Sequence, residues 1–163
     1  MRILLLNGPN LGRLGSRQPE IYGSTTLAEI VAAARAHAEA RGSTLLELQS
    51  NHEGDLIDRL EQRDYDGVVI NPGALTHYGY ALFEALVGCD VPVIEIHLSD
   101  LEKRAEREPW RRKSVVRPAV IATVMGKGWQ GYLDAIDLLL DHVDDAPSAA
   151  ATPDAARAAE AAT

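Results

Sequence analysis

Two polar residues in one apolar segment are the clearest candidates for chemistry in this sequence. Glu95 and His97 lie two positions apart in the run VPVIEIH, 91–97, so in a β-strand their side chains project from the same face. A carboxylate beside an imidazole can fix the tautomer of the ring and support proton transfer. A buried structural histidine explains this feature equally well when it is taken alone.

A long connection with charged and phenolic side chains follows the first apolar run. The segment NGPNLGRLGSRQPEIYG, 7–23, contains Arg13, Arg17 and Tyr22. Turn formers such as Asn10 would by themselves indicate only an irregular connection. However, loops of about 15 residues without secondary structure of their own are uncommon in compact domains and are usually functional or disordered. The segment therefore becomes a candidate catalytic or binding loop.

A third candidate region, 101–117, contains seven Lys or Arg residues and three Glu residues. A solvated helix face with ion pairs at i and i+4 would have the same composition. The region begins just after the strand that contains Glu95 and His97, and this position favours a basic lid over an anionic ligand.

Short β-rich runs alternate with longer amphipathic segments, which is typical of βαβ units around a parallel sheet. Strands are predicted at 2–6, 44–49, 67–71, 91–97 and 119–124, and helices at 26–41, 53–62, 78–87 and 130–142. The runs at 68–70 and 93–96 are nearly all apolar, as expected for strands covered on both faces. A closed eight-stranded barrel needs about 250 residues, so we predict an open three-layer α/β sandwich.

The predicted sheet determines where a ligand would bind. In open α/β sheets, ligands bind beyond the carboxyl ends of the strands, near the point where the strand order reverses. The segments that follow the first, third and fourth predicted strands are 7–23, 71–77 (NPGALTH) and 95–100 (EIHLSD). We therefore expect the candidate side chains to meet at one edge of the sheet.

Composition excludes several classes of protein. Acidic residues outnumber basic residues by 24 to 16, for a net charge of -8, which argues against binding to the phosphate backbone of nucleic acids. No apolar run approaches the roughly 20 residues of a membrane span, and the apolar part of MRILLLNGPN is too short for a secretory signal. We expect a cytoplasmic protein that does not bind membranes.

Cysteine usage and spacing predict neither a disulfide nor a metal site. Cys89 is the only cysteine, and the sequence has no CxxC or HExxH spacing. We therefore expect no metal.

The composition changes near the C-terminus. From residue 144 onward the chain is Ala-rich and contains no Leu, Ile, Val or aromatic residue, so it cannot bury a core. We expect a catalytic domain over 1–143 and a flexible tail without a catalytic role over 144–163.

Three glycines near the last predicted helix imitate a dinucleotide-binding motif. Gly126, Gly128 and Gly131 fit GxGxxG after a strand and before a helix. That motif needs a following strand with an acidic residue about 20 positions on, and here the Ala-rich segment follows instead. We interpret these glycines as allowing the last helix to pack closely against the sheet.

Taken together, the loops resemble those of a known enzyme family. NGPNLGRLGSRQPEIYG, QSNHEGDLID, NPGALTHYGYAL, VIEIHLSD and GWQGYLDAI match type II 3-dehydroquinate dehydratases in order and spacing, over about residues 1–143. The resemblance implies a flavodoxin-like fold with strand order 2-1-3-4-5 and a homo-oligomer, a dodecamer built from trimers. It also implies dehydration of the small anion 3-dehydroquinate to 3-dehydroshikimate, in the shikimate pathway or in quinate catabolism, without a metal or an organic cofactor.

The resemblance also implies catalytic roles. The reaction passes through an enolate, so it needs a base, a stabiliser of the enolate oxygen and an acid for the departing hydroxyl. By resemblance, Tyr22 is the base, and the charge of Arg17 favours its phenolate form. Asn10 stabilises the enolate through an ordered water. His97 protonates the leaving hydroxyl, and Glu95 holds its tautomer.

Substrate contacts are implied in the same way. Asn71 and His77 contact substrate hydroxyls, with Gly73 beside Asn71, and Arg111 contacts the ring hydroxyls. The backbone amides of Leu98 and Ser99 bind the carboxylate. Arg107 lies in a mobile loop, and Glu84 reaches towards a neighbouring subunit. The sequence departs from the family pattern in a longer loop between Ser99 and Arg107, in Pro109-Trp110, and in Glu84 where many members have Asp. These departures concern the lid and the subunit interface.

A binding protein is the alternative. A flavodoxin-like module for FMN or a nucleotide phosphate would share the fold and the glycine-bearing loops, by analogy alone. A receiver-type signalling domain fits less well, because the first strand ends in Asn7-Gly8-Pro9-Asn10 rather than in a pair of aspartates. Flavin absorption of the purified protein distinguishes the FMN module from the lyase.

Overall fold

The computed structural model describes residues 1–145, which form one parallel five-stranded sheet. The strands are β1 (Arg2–Asn7), β2 (Thr44–Gln49), β3 (Gly67–Asn71), β4 (Val93–His97) and β5 (Ala122–Met125). Their order in the sheet is β2-β1-β3-β4-β5, and all four pairs of neighbours are parallel. The flavodoxin-like α/β fold and its strand order are thus confirmed.

Helices cover both faces of the sheet. They are α1 (Pro19–Tyr22), α2 (Leu27–Ala40), α3 (Glu53–Glu61), α4 (Tyr80–Val87), α5 (Leu101–Arg104) and α6 (Gly131–Asp145). Ile3 and Leu5 of β1 pack in one core with α2 and α6, whereas Leu4 and Leu6 pack in a second core with α3 and α4. Because alternate residues of a strand face opposite sides, the unbroken apolar run of β1 fills both cores.

Two local features explain where helices begin. A capping box starts α2: the Glu29 amide donates to the Thr26 side chain, and the Thr26 amide donates to the Glu29 carboxylate at 2.8 Å. At the start of α6, a Cβ on Gly131 would lie 2.8 Å from the Cδ1 atom of Ile96. The close packing expected for this glycine is therefore confirmed.

The boundaries differ from the sequence-based ones where proline or a short turn intervenes. β4 begins at Val93 rather than at residue 91, since Pro92 has no N–H to give to the ladder. β5 begins at Ala122 rather than at residue 119, because Arg117–Ala119 forms a 3₁₀ turn around Pro118.

The two candidate loops contain secondary structure of their own. The first loop has a 3₁₀ turn at Leu11–Arg13 followed by α1. The basic region after β4 comprises α5 and a second 3₁₀ turn at Pro109–Arg112 instead of one continuous helix.

The last helix extends slightly beyond the predicted catalytic domain. It reaches Asp145, two residues past the boundary at 143, and the rest of the predicted tail, 146–163, lies outside the described residues. None of the helices within residues 1–145 is long and apolar enough to cross a membrane.

The ends of β1 and β3 approach too closely for a side chain at Gly8. The Gly8 amide donates to the Asn71 carbonyl at 2.8 Å, and a Cβ at Gly8 would lie 2.6 Å from the Pro72 carbonyl oxygen. Gly8→Ala must therefore move one backbone away from the other. We expect it to lower the free energy of unfolding by about 1–3 kcal/mol, measured by urea denaturation.

Gly54→Ala is the matched control. Gly54 lies in α3, and no atom lies within 4 Å of a Cβ built there. Alanine should raise the free energy of unfolding by about 0.5–1 kcal/mol, because it has the higher helix propensity. Equal stability of the Gly8→Ala variant and the unsubstituted protein would contradict the close approach.

Candidate active site

A cleft lies at the carboxyl ends of β1, β3 and β4, where the three candidate segments meet. Its volume is about 200 Å³, which is below the range of about 300–1,000 Å³ typical of sites for drug-sized ligands and suits a compact molecule. Ten residues predicted to form the site line it: Asn10, Arg17, Tyr22, Asn71, Gly73, His77, His97, Leu98, Ser99 and Arg111.

Glu95 lies behind His97 and is fully buried. One carboxylate oxygen is 2.8 Å from His97 Nε2 and accepts a hydrogen bond from Thr76 Oγ1 at 2.6 Å, and the other accepts one from Thr123 Oγ1 at 3.2 Å. Burial raises the pKa of Glu95, but these hydrogen bonds outweigh that effect and hold the pKa below its ordinary value. The pair is thus an imidazole at the cleft supported by a buried carboxylate.

Tyr22 lies at the end of α1, close to two cations. Its hydroxyl oxygen accepts a hydrogen bond from Arg104 Nη1 at 2.8 Å. The guanidinium carbons of Arg17 and Arg104 lie 5.4 Å and 5.7 Å from the centre of the tyrosine ring. The phenol of Tyr22 is thus in contact with one guanidinium and within 6 Å of a second.

Arg104 is the cleft arginine that the sequence analysis missed. The resemblance placed Arg107 in this role, yet Arg107 is exposed and does not line the cleft, whereas Arg104 does. The two arginines differ because α5 ends at Arg104, and the turn that follows directs Arg107 to solvent. Helical spacing from the apolar residues Leu101 and Ala105 is the sequence signal that places Arg104 close to the inward face.

Glu84 also lies outside the cleft of its own chain. Its side chain is exposed on α4. The described chain therefore does not bring this residue together with the other candidates.

The Asn71 side chain is held in place by a residue from the opposite end of the chain. Its Nδ2 atom donates to the Tyr132 hydroxyl at 2.8 Å, and its Oδ1 accepts from the Gly73 amide at 3.2 Å. The fully buried Tyr132 in turn donates to Asn7 Oδ1 at 2.7 Å. Tyr132 was not predicted to take part in the site, although it lies in the segment GWQGYLDAI that contributes to the family resemblance.

One wall of the cleft is aromatic. The rings of Trp110 and His77 pack nearly perpendicular to each other, with centres 4.8 Å apart, and the Arg111 guanidinium lies 4.1 Å from the centre of the Trp110 ring. Burial lowers the pKa of His77, against the effect of a hydrogen bond to the Lys113 carbonyl, so this imidazole is neutral near neutral pH.

Chemically, the cleft combines two groups that can transfer protons with cations that can bind an anion. One is a tyrosine beside two guanidiniums, and the other is an imidazole supported by a carboxylate. No group of three His, Cys, Asp or Glu side chains within residues 1–145 is arranged to hold a metal ion. The tyrosine, the imidazole and the neighbouring cations together suit proton abstraction next to a carbonyl in a small anion.

Comparison with known proteins agrees with this chemistry. A 3-dehydroquinate dehydratase of Roseiflexus castenholzii is 54% identical over 142 residues, which are 86% of this chain and 88% of the relative. A catabolic 3-dehydroquinase 1 of Neosartorya fischeri is 49% identical over 137 residues, 83% of this chain and 89% of the relative. These matches favour a lyase over the alternative of an FMN-binding module.

Solved structures and a family model give the same result. The type II dehydroquinase of Butyrivibrio crossotus superposes with a TM-score of 0.81 at 40% identity, covering 86% of this chain and 97% of that one. The model of the family described as "Dehydroquinase class II" matches residues 1–140. The chain therefore belongs to the class II dehydroquinase family.

Proposed function

We propose that this cleft converts 3-dehydroquinate to 3-dehydroshikimate, with Tyr22 as the base and His97 as the acid. The observation that carries this assignment is the Tyr22 hydroxyl bound by Arg104 in the same cleft as the Glu95–His97 pair. The phenolate takes the proton from the carbon next to the ketone and leaves an enolate. When the enolate collapses, the hydroxyl group departs and takes a proton from His97, so that water leaves.

Charge in the cleft suits an anionic substrate although the protein is acidic overall. Arg17, Arg104 and Arg111 all line the cleft, in a chain with a net charge of -8. We assign the substrate carboxylate to the backbone amides of Leu98 and Ser99, because hydrogen bonds from amides to an ionised group are strong.

Asn71 retains capacity for the substrate after its contacts with the protein. An amide side chain has two donor hydrogens and an acceptor oxygen with two lone pairs. Tyr132 takes one donor hydrogen and Gly73 takes one lone pair. The remaining hydrogen and lone pair of Asn71 are available to a substrate hydroxyl. We assign further contacts with substrate hydroxyls to His77 and Arg111. Gly73, which has no side chain, allows the substrate to approach the backbone beside Asn71.

Asn10 is assigned to the enolate oxygen through an ordered water. Its backbone has φ of 69°, a left-handed conformation that asparagine tolerates better than most residues. The backbone amide of Asn10 donates to Asn51 Oδ1 at 2.8 Å, and this hydrogen bond fixes the turn. This leaves the Asn10 side chain at the cleft.

A direct assay tests the base. Tyr22→Phe removes the proton acceptor and Arg17→Ala removes a cation beside it, so each should lower kcat by about 10²-fold or more. Formation of the conjugated enone from 3-dehydroquinate is followed by ultraviolet absorbance, with and without EDTA. Circular dichroism verifies folding.

Arg13→Ala is the control for this assay. Arg13 lies in the same loop as Arg17 and Tyr22, but it is exposed and does not line the cleft. It should retain full turnover. Unsubstituted kcat in Tyr22→Phe would exclude the tyrosine as base.

The Glu95–His97 pair predicts a pH dependence of stability. Because the pKa of Glu95 is lowered in the fold, its ionised form stabilises the protein above the ordinary carboxylate pKa. That stabilisation is lost as the pH falls through the lowered value. The unsubstituted protein should therefore unfold at a higher temperature than Glu95→Gln at neutral pH, and the difference should narrow in acid.

Thermal unfolding at a series of pH values measures this difference. Glu47→Gln, on an exposed position of β2, is the control and should show little difference at any pH. A Glu95→Gln difference that stays constant from neutral to acidic pH would contradict the prediction.

We propose that the protein assembles in the cytoplasm as a homododecamer built from trimers. Tyr78, Tyr80 and Val87, on or beside α4, are 60%, 57% and 55% exposed, and such an apolar group is typical of an interface. Glu84 is exposed on the same helix, and we assign it to the cleft of a neighbouring subunit. Light scattering should give the mass of a dodecamer, and a monomer would contradict this assembly.

A further inference from the structure

A single carboxylate outside the cleft binds two arginines that line it. Glu108 Oε2 accepts hydrogen bonds from Arg104 Nη2 at 3.0 Å and from Arg111 Nε at 2.6 Å, and Glu108 Oε1 accepts one from Arg111 Nη2 at 3.1 Å. The other terminal nitrogen of Arg104 binds Tyr22. Glu108 itself does not line the cleft.

The two guanidiniums need such a counter-charge. The side chains of Arg104 and Arg111 are only 18% and 14% exposed. Without the carboxylate between them, these two positive charges would repel each other. Hydrogen bonding from Arg111, and then from Arg104, lowers the pKa of Glu108 to about 2 against the opposing effect of desolvation. The carboxylate is therefore ionised throughout the neutral pH range.

We propose that Glu108 is a positioning residue for the reaction: it fixes Arg104 against the base and Arg111 against the substrate. The inference rests on the proposed roles of Tyr22 and Arg111. Glu108 reaches neither the phenol nor the cleft, so it acts through the two guanidiniums. A displaced Arg104 lowers kcat, because the phenolate loses its hydrogen bond, and a displaced Arg111 raises KM.

Glu108→Gln tests this role, since it keeps the size of the side chain and removes its charge. We expect kcat to fall and KM to rise, with a loss of about 10²-fold in kcat/KM, the scale of a small misplacement of catalytic groups. Glu106→Gln, an exposed acid in the same segment, is the control and should leave both constants unchanged. Unchanged constants in Glu108→Gln would overturn the proposal.

Double-mutant cycles separate positioning from general destabilisation. In an Arg104→Ala background, Glu108→Gln should lower kcat no further, and in an Arg111→Ala background it should raise KM no further. Effects that add fully in both backgrounds would overturn the proposal. Retained turnover in Tyr22→Phe would instead count against the proposed base.

Limited trypsin digestion gives a readout that needs no substrate. Trypsin must bind a free arginine side chain, so Arg104 and Arg111 should be cut slowly while Glu108 holds them. Mass spectrometry should find faster cleavage after both residues in Glu108→Gln than in Glu106→Gln. Equal rates in these two variants would show that Glu108 does not hold the arginines, whatever the reaction.

Discussion

The parallel alignment of β1, β3 and β4 is the constraint on which the cleft depends. In this register Asn7 pairs with Asn71, and Ile70 pairs with Glu95. The three strands therefore end at nearly the same level, and the loops that follow them meet. Because a slip of one residue would turn every side chain to the opposite face, the two hydrophobic cores that fix the register also fix the positions of the polar groups at the strand ends.

Buried polar groups near this edge form two separate sets. Glu95 and its three partners connect β4 with β5 and with the 3₁₀ turn at Gly73–His77, whereas Tyr132 joins the ends of β1 and β3 to α6. Among the described residues, the Nδ2 atom of Asn7 is the one buried side-chain polar atom without a hydrogen-bond partner. A buried polar atom without a partner costs free energy. The network that holds Asn71 through Tyr132 and Asn7 therefore lowers the stability of the fold at this point.

Local sequence patterns predict the elements of this fold, whereas contacts between distant positions in the chain leave no such pattern. Apolar runs predicted all five strands, and the spacing of Glu95 and His97 predicted their contact. Arg104, rather than Arg107, binds Tyr22 from 82 positions away in the sequence, and the charge pattern of the segment does not reveal that contact. The partnership of Tyr132 with Asn71 spans 61 positions, and only the tertiary fold brings these side chains together.

The position of the tyrosine has a kinetic consequence. No side chain of α1 is fully buried. The hydrogen bond between Tyr22 and Arg104 therefore has an important part in holding the first loop against the segment after β4. This bond joins two connections and no strand of the sheet, so in the proposed reaction the base is held in position only while both segments are in place. Separating the two segments would therefore interrupt turnover without altering the sheet or its two cores.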